Sequence, residues 1–377
     1  MKKIILLITL TIFNINSLAQ DLGGWKINGQ IQLRSEVDER DFSNDTHALT
    51  FASLRTRLGV EKTFIEKVLL FVQFQDSRVF GEEPNTLSAI DNIDLHQGYV
   101  KLMKPFGWDF NMQAGRFEVN YGTERFFGPV GWHYVGRSFD GVRFEIAPSS
   151  FPFDLFALTL NESNNYIANA SFFTYPYPDQ PTPSLSVYGL YKKFDISNKS
   201  RLDVLGYYEN DRFKTNQGDY RLSMFTLAGT YWGNYGDLST IVEAAYQFGE
   251  MGDTDISSYL LSLSGNYKLN EVLLGAGIDL LSGTSNTSND FNTFQATYGT
   301  NHKFYGYMDY FINIPVNTLF AGLNDFYANI NYQPTNSQFN FSAAFHHFMS
   351  NKSILVTTTE NPEGNEENTF GQELVLC

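Results

Sequence analysis

Two arginines, Arg55 and Arg57, stand two positions apart in a stretch where polar and apolar residues alternate. Alternate residues of a β-strand point to the same side, so both guanidinium groups should share one face, about 7 Å apart. Arg34 and Arg143 occupy polar positions in two similar stretches. A guanidinium stays charged and binds a carboxylate through two parallel hydrogen bonds. These four residues are therefore candidates for a site that attracts an anionic, carboxylate-bearing solute.

The same arginines also have a simpler interpretation. Opposite charges on neighbouring strands stabilise a sheet as cross-strand pairs, and the sequence offers several carboxylates for such pairs. On this interpretation the arginines only neutralise acidic neighbours and select no solute. Residue types alone leave both interpretations open. The candidate acidic partners are Glu36, Glu61, Glu118, Asp140 and Glu145.

The sequence shows no pattern that indicates catalysis or metal binding. His346 and His347 are adjacent, so on a strand they would point to opposite faces and could not share a metal ion. The other histidines lack the spacing of metal ligands, and no G-x-S-x-G nucleophile motif occurs. We therefore predict a protein that is not an enzyme and needs no cofactor.

The elements that would position the arginines are β-strands. The stretch from Trp25 to Asp38 alternates apolar and polar residues almost throughout, and Leu54 and Leu58 lie on the side opposite Arg55 and Arg57. Roughly sixteen such segments follow one another along the chain, most near the ten-residue length of a tilted transmembrane strand. The pattern predicts strands with one apolar and one polar face.

The N-terminal residues predict secretion. Lys2 and Lys3 precede an apolar run that ends in a small-residue site, which is typical of a signal peptide cleaved near Ala19. The only cysteine is Cys377, so no disulfide can form within the chain. We assign residues 1–19 to the signal peptide and residues 20–377 to one domain. The net charge of −15 argues against a nucleic-acid partner.

The composition favours an outer-membrane barrel over a secreted, soluble β-sandwich that binds glycans. Phe, Tyr and Trp make up 16% of the residues, and outer-membrane barrels place such rings at the two lipid–water interfaces. Connections are of two kinds, short turns and long polar loops, as expected for the two rims of such a barrel. The long loops include Tyr121 to Gly136 and Gly283 to Asn301.

The segment from Ala114 to Phe144 is the most distinctive part of the chain. It contains Gly115-Arg116-x-Glu118-x-x-Tyr121-Gly122 and, later, Arg137-x-Phe139-Asp140-Gly141-Val142-Arg143. In these two motifs the chain resembles the alginate-export family of outer-membrane porins. The shorter segments Gln75–Arg78, His96–Tyr99, Glu243–Gly249, His302–Asp309 and Gly371–Leu374 support the resemblance in their order along the chain.

The resemblance implies an all-β fold, a transmembrane antiparallel β-barrel, in the cell outer membrane. The family pattern implies about eighteen strands and the alternation roughly sixteen, so we predict a barrel of about 16–18 strands. It also implies a lumen rich in arginine, which adds Arg116, Arg137 and Asp140 to the candidate residues Arg34, Arg55, Arg57 and Arg143. Members of the family usually continue for about one more hairpin beyond the position of Cys377, so we expect the C-terminal hairpin to be truncated.

Three functions follow as hypotheses. The first is a porin that passes anionic or sugar-like solutes of polyuronate type, with an anionic oligosaccharide or small anion and outer-membrane lipid as partners. The second is a general, non-selective porin whose arginines only neutralise carboxylates. The third is the soluble glycan-binding sandwich. The sequence does not indicate the direction of transport or the oligomeric state.

Overall fold

The computed structural model describes residues 10–38, 49–82, 93–146, 151–160, 184–215, 218–285, 288–356 and 364–376. These residues form almost entirely β-strands. They belong to two compact units, one made of Met1–Asn120 and Gly128–Phe151, the other of Tyr121–Phe127 and Pro152–Cys377. Among the described residues, no helix has the length and apolar character that crossing a membrane requires.

The first unit contains seven strands, each antiparallel to the next. A short 3-10 helix, Pro105–Gly107, lies between the fifth and the sixth. The first strand covers residues of the predicted signal peptide, whose cleavage near Ala19 stays a prediction. The strands are β1 (Leu10–Leu22), β2 (Trp25–Asp38), β3 (Leu49–Phe64), β4 (Val68–Val79), β5 (Ile93–Met103), β6 (Phe110–Phe117) and β7 (Phe139–Ile146).

The second unit contains ten strands, again paired antiparallel in chain order. A 3-10 helix, Asn301–Lys303, and one helical turn, α1 (Ile314–Asn317), lie between the seventh and the eighth strand of this unit. The strands are β8 (Phe153–Thr159), β9 (Ser184–Ser197), β10 (Ser200–Thr215), β11 (Gly218–Tyr235), β12 (Leu238–Met251), β13 (Thr254–Leu269), β14 (Val272–Leu281), β15 (Leu323–Tyr332), β16 (Phe341–Val356) and β17 (Asn365–Leu376).

Two-residue turns join several of these strands. The turns after β11, β12 and β13 begin with Gly236, Gly252 and Asn270, whose φ angles are +73°, +62° and +52°. Two-residue hairpin turns need positive φ angles, which Gly and Asn adopt at the lowest cost. The residues between the alternating segments therefore favour the tight hairpins that the structure contains.

The strands reverse the polarity of a soluble protein. On β13, Leu261 and Leu263 are 49% and 53% exposed, whereas Ser258 and Ser262 are 0% and 4% exposed. In water, leucine would occupy the buried positions and serine the exposed ones. Only an apolar solvent stabilises the observed arrangement, in which the apolar face meets lipid and the polar face is covered. This pattern argues against the soluble sandwich.

Two long connections cover the polar faces of the strands. Residues 118–138 join β6 to β7, and residues 282–322 join β14 to β15. Arg125, Phe127, Phe294 and Tyr305 in these connections are at most 2% exposed. The sequence-based expectation of polar rim loops at 121–136 and 283–301 was therefore wrong, because both segments carry aromatic residues that pack against strands.

Part of the aromatic content fills the interior of the second unit. Phe127 stacks on Tyr298 at 5.3 Å between ring centroids and lies 5.2 Å from Tyr207. Tyr121 stacks on Tyr191 at 4.3 Å. Such ring pairs add to the burial of apolar area. The high aromatic content thus reflects buried connections as well as a membrane-facing surface.

Candidate functional site

Three arginines lie together on the polar face of β2 and β3, and we call Arg34, Arg55 and Arg57 the basic cluster. In the antiparallel ladder Arg34 pairs with Ser53, next to Arg55, and Arg57 follows two residues later. All three side chains are at most 10% exposed, while Leu58 on the opposite face is 53% exposed. The alternation of β3 thus predicts the face that these arginines share.

Main-chain carbonyls of residues 131–135 cover the basic cluster. Each guanidinium donates a hydrogen bond to this part of the β6–β7 connection, and Arg34 also lies 5.0 Å from the ring centre of Trp132. A planar guanidinium offers five donors in fixed directions, which suits several carbonyls at once. The contacts are Arg34 to Trp132 O at 2.8 Å, Arg55 to His133 O at 2.6 Å and Gly131 O at 3.0 Å, and Arg57 to Val135 O at 3.3 Å.

Glycine is required where the connection passes Arg57. Gly136 has a φ of +75°, and a Cβ atom at this position would lie 2.5 Å from a terminal nitrogen of Arg57. Both the backbone conformation and the space therefore favour glycine. Gly136 allows the chain to approach the guanidinium closely enough for the carbonyl contacts.

The basic cluster is only partly neutralised. Arg34 pairs with Glu36 on the same strand, and Arg57 pairs with Glu118 at 3.2 Å. Arg55 has no carboxylate within ion-pair distance among the residues that the structure describes, and donates instead to the Gln30 side chain and to the carbonyls. Three guanidinium groups thus face two carboxylates, which leaves a net positive charge under the connection.

Glu118 is held ionised by its neighbours. Burial alone would raise the pKa of this carboxyl group, but a hydrogen bond with His96 at 2.7 Å and the charge of Arg57 outweigh burial and hold its pKa below the ordinary value. A carboxylate with such partners keeps its charge to lower pH than a free one. At neutral pH the ion pair with Arg57 is therefore complete.

The other candidate residues lie elsewhere in the first unit. Arg143 shares the polar face and donates to Gln113 at 2.7 Å, with Glu145 at 3.3 Å. Arg116 pairs with Asp140 at 2.7 Å, but the register of β6 and β7 places this pair on the face opposite Arg143. The Arg137 main-chain N–H donates to the Pro129 carbonyl.

Grouping Arg116 and Asp140 with the polar-face arginines therefore needs correction. Both residues follow the parity of Met112, Ala114 and Val142, and no shift of register occurs between β6 and β7. The shared motif suggested one site, but period-two alternation separates its members. Of the seven candidates, the structure brings Arg34, Arg55 and Arg57 together.

A second buried arginine, Arg125, lies in the other unit; its place in the Ala114–Phe144 segment made it a further candidate beside the seven residues named above. Arg125 donates to Glu243 at 2.8 Å, to Asp279 at 3.1 Å and to the Tyr305 hydroxyl at 2.7 Å. Its guanidinium lies 3.9 Å from the ring centre of Phe304. We call Arg125, Glu243 and Asp279 the paired cluster, because two carboxylates meet the one cation and leave a formal charge of −1. Its position within the distinctive Ala114–Phe144 segment was the feature of the sequence that pointed to Arg125.

The charges of the paired cluster reinforce one another. Burial alone would lower the pKa of Arg125, but Asp279, Tyr305 and Glu243 raise it well above the ordinary value. Burial and the nearby carboxylates raise the pKa of the Tyr305 hydroxyl despite the charge of Arg125. Arg125 therefore stays charged and Tyr305 stays protonated, so that this hydroxyl can donate as well as accept.

Among the described residues, no three or more His, Cys, Asp or Glu side chains are placed to hold a metal ion. His346 contacts Asp325 through Nδ1 at 2.9 Å. His347 is the next residue of the same strand and so points to the other face. The arrangement of both clusters suits the binding or exclusion of charge rather than bond-breaking chemistry.

Comparison with known proteins identifies the family. The model of the family described as "Alginate export" matches residues 25–366. The chain belongs to the alginate-export family. No curated protein matches the sequence. The match covers both units and both clusters, so the resemblance in the Ala114–Phe144 segment holds for nearly the whole chain.

Two solved structures confirm the fold of this alginate-export family member, and a third chain is similar at a lower score. Pseudomonas aeruginosa OccK8 (OprE) has a TM-score of 0.52 at 10% identity, with 93% of this chain and 86% of that chain covered. Acinetobacter baumannii OccAB4 has a TM-score of 0.52 at 11% identity, covering 91% and 84%. The outer-membrane channel DcaP of A. baumannii has a TM-score of 0.47 at 10% identity, covering 95% and 97%.

The predictions of fold, family and location are confirmed. The protein is an all-β antiparallel barrel of the outer membrane, and its seventeen strands, counted over the described residues, fall within the predicted range. It is an outer-membrane channel of the porin type. The family to which the chain belongs is described by export and not by a catalysed reaction.

Proposed function

We propose that this channel favours anionic solutes, including carboxylated sugars, and that the basic cluster produces the preference. The observation that carries the proposal is Arg55, a guanidinium 2% exposed and without a carboxylate partner in the described residues. An uncompensated charge near a narrow, low-dielectric pore attracts ions of opposite sign over several ångströms. A pore beside this cluster would therefore admit anions more readily than cations.

The basic cluster acts through its field rather than by direct contact with solute. Its guanidinium groups are covered by residues 131–135, so a passing solute meets the connection first. Burial reduces screening by salt, which is strongest between exposed charges. The preference for anions should consequently persist at higher ionic strength than a preference due to exposed lysines.

A planar-bilayer measurement tests the proposal. The double variant Arg55→Gln, Arg57→Gln should reduce the anion-to-cation permeability ratio by roughly threefold or more, since two positive charges are removed near the pore. Block of the current by an added oligogalacturonate should weaken in parallel. The matched control is Arg116→Gln, which removes an arginine of the same unit from the opposite face of the sheet and should leave both quantities unchanged.

A second candidate function is a general porin in which the basic cluster only fastens the connection. The carbonyl contacts of Arg55 and Arg57 favour this alternative. The double variant Arg55→Lys, Arg57→Lys distinguishes the two, because lysine retains the charge but loses the planar fork of donors. Retained selectivity would support the field effect, and selectivity lost in the lysine variant, or unchanged in the glutamine variant, would contradict it.

A further inference from the structure

An aromatic pocket lies in the second unit, on the polar face of β15 and β16 beneath residues 302–307. Its volume is about 120 Å³. This is below the roughly 300–1,000 Å³ of pockets for drug-sized ligands, so the pocket suits a small ligand such as a single ring. The lining includes Tyr305, Tyr307, Tyr327, Asn329 and His346. Rings with polar tips around a concave site can hold a ligand that has both apolar faces and hydroxyl groups.

His346 is oriented for ligand binding by Asp325. The Nδ1 atom lies 2.9 and 3.1 Å from the two carboxylate oxygens, so in a neutral imidazole the Nδ1 proton is donated to Asp325 and Nε2 is an acceptor. The ring is 92% buried and stacks on Tyr327 at 5.3 Å. No hydrogen bond to Nε2 is present within the described part of the chain. A fixed, nearly buried acceptor at a pocket wall is suited to a ligand hydroxyl group.

Glu373 holds the aromatic lid of the pocket. Its carboxylate accepts hydrogen bonds from the main-chain N–H groups of Tyr307 at 2.6 Å and Met308 at 3.4 Å. The Tyr307 ring lies edge-on to His346 at 6.4 Å and is 49% exposed. The position of Tyr307 over the pocket is thus set by a strand residue, and its side chain stays half-exposed there.

The charges around the pocket disfavour an anion. The cations Arg125 and Lys303 are already paired, with Asp279 and Glu124 respectively. Asp325 and Glu373 add two further carboxyl groups on the neighbouring strands β15 and β17. A carboxylated ring would meet like charges without a free cation, at an electrostatic cost. An uncharged ring with hydroxyl groups would meet only acceptors and donors.

We propose that this pocket binds a neutral sugar ring. Tyr307 and Tyr327 supply the aromatic faces, and His346 Nε2 accepts a hydrogen bond from a sugar hydroxyl group. Neither the anion preference of the channel nor the basic cluster is needed for this binding. The protein would therefore have two recognition regions of different chemistry, one for charge and one for neutral sugar.

Calorimetric titration of the purified full chain in detergent tests this proposal. The probes are maltotriose and cellotriose as neutral sugars and trigalacturonate as the anionic sugar. At least one neutral probe should bind, and more tightly than trigalacturonate. His346→Phe keeps a ring but removes the acceptor, and Tyr307→Ala removes the half-exposed ring. Each should weaken binding roughly five- to tenfold, as the loss of one hydrogen bond or aromatic contact predicts.

The matched control is Tyr267→Ala, because Tyr267 is 48% exposed like Tyr307 but lies on β13, away from the pocket. Heat-dependent mobility on a denaturing gel shows whether each variant is folded, and Tyr307→Ala serves if His346→Phe does not fold. Absence of binding by both neutral probes, tighter binding of trigalacturonate, or equal affinities of Tyr307→Ala and wild type would overturn the proposal. Loss of anion selectivity in the basic-cluster variants would not affect this result.

Discussion

The basic cluster and the paired cluster use the same residue type in opposite ways. Arg55 and Arg125 are both about 2% exposed, and each contacts residues far away in sequence. Arg125 meets two carboxylates, whereas Arg55 meets a glutamine and two main-chain carbonyls. Burial of an unpaired charge is costly, while a paired charge recovers much of that cost. The comparison separates an arginine whose charge is compensated by carboxylates from one whose charge is not.

The difference arises from the neighbouring strands. Beside Arg125, β12 and β14 present Glu243 and Asp279. Beside Arg55, the corresponding polar position on β2 is Gln30, which accepts from Arg55 at 3.2 Å, and Gln75 on β4 likewise accepts from Arg57 Nε at 2.6 Å. Glutamine satisfies a donor without cancelling its charge. The choice between Glu and Gln on adjacent strands thus decides whether a buried arginine contributes a field.

The largest effect is expected at the paired cluster. Arg125→Met would leave Glu243 and Asp279 buried without a cation, and should destabilise the barrel by about 3–5 kcal/mol. The temperature at which the folded band disappears on a denaturing gel should fall markedly. Arg201→Gln is the control, since Arg201 also pairs with a buried carboxylate but is 36% exposed. Equal transition temperatures for Arg125→Met and wild type would mean that the paired cluster contributes little to the stability of the barrel.

A smaller effect is expected when the basic cluster is given a further carboxylate, as in the paired cluster. Gln75→Glu would place a carboxylate against Arg57 Nε and cancel one positive charge. The anion-to-cation permeability ratio should fall by a factor of roughly two, without loss of stability. Reversal potentials in a salt gradient measure the ratio. The isosteric position of the new oxygen makes steric changes small, so an unchanged ratio would locate selectivity outside this cluster.

The smallest effect concerns pH. Because the pKa of Glu118 is depressed in the folded protein, the stabilisation from its ionised form is complete above the ordinary pKa of 4.5 and is lost as pH falls through the lower folded value. Protonation would free Arg57 of its partner, so anion selectivity should rise only as the pH falls through this depressed pKa, which lies below 4.5. In Glu118→Gln this rise should be absent. A rise of the same size in the variant would assign it to another group.

The sequence allowed the faces of the strands to be predicted residue by residue. Arg57 is buried and Leu58 exposed, as alternation requires, and Glu243 and Gln247 lie opposite Tyr246. The same rule also separates Arg116 from Arg143, although the shared motif suggested one site. Where motif resemblance and alternation disagreed, alternation described the structure, because the direction of a strand side chain is set locally by the pleat.

The long connections could not be placed from the sequence. Residues 121–136 read as a polar rim loop, yet Arg125 and Phe127 within them are buried. Their burial depends on partners such as Glu243 and Tyr298, which lie more than a hundred residues away. No local pattern encodes such a contact, so the same residues are compatible with a solvated loop.

The sequence by itself determined the period-two faces, the antiparallel hairpins and the family, since each depends on local spacing or on motifs within short segments. Only the tertiary structure decided which arginines keep an uncompensated charge. That outcome depends on whether a distant strand or connection brings a carboxylate, a glutamine or a carbonyl to the guanidinium. Coulombic energy falls with distance and rises in a dry interior. A carboxylate a few ångströms nearer or farther therefore decides whether a buried arginine is compensated, as Arg125 is, or uncompensated, as Arg55 is.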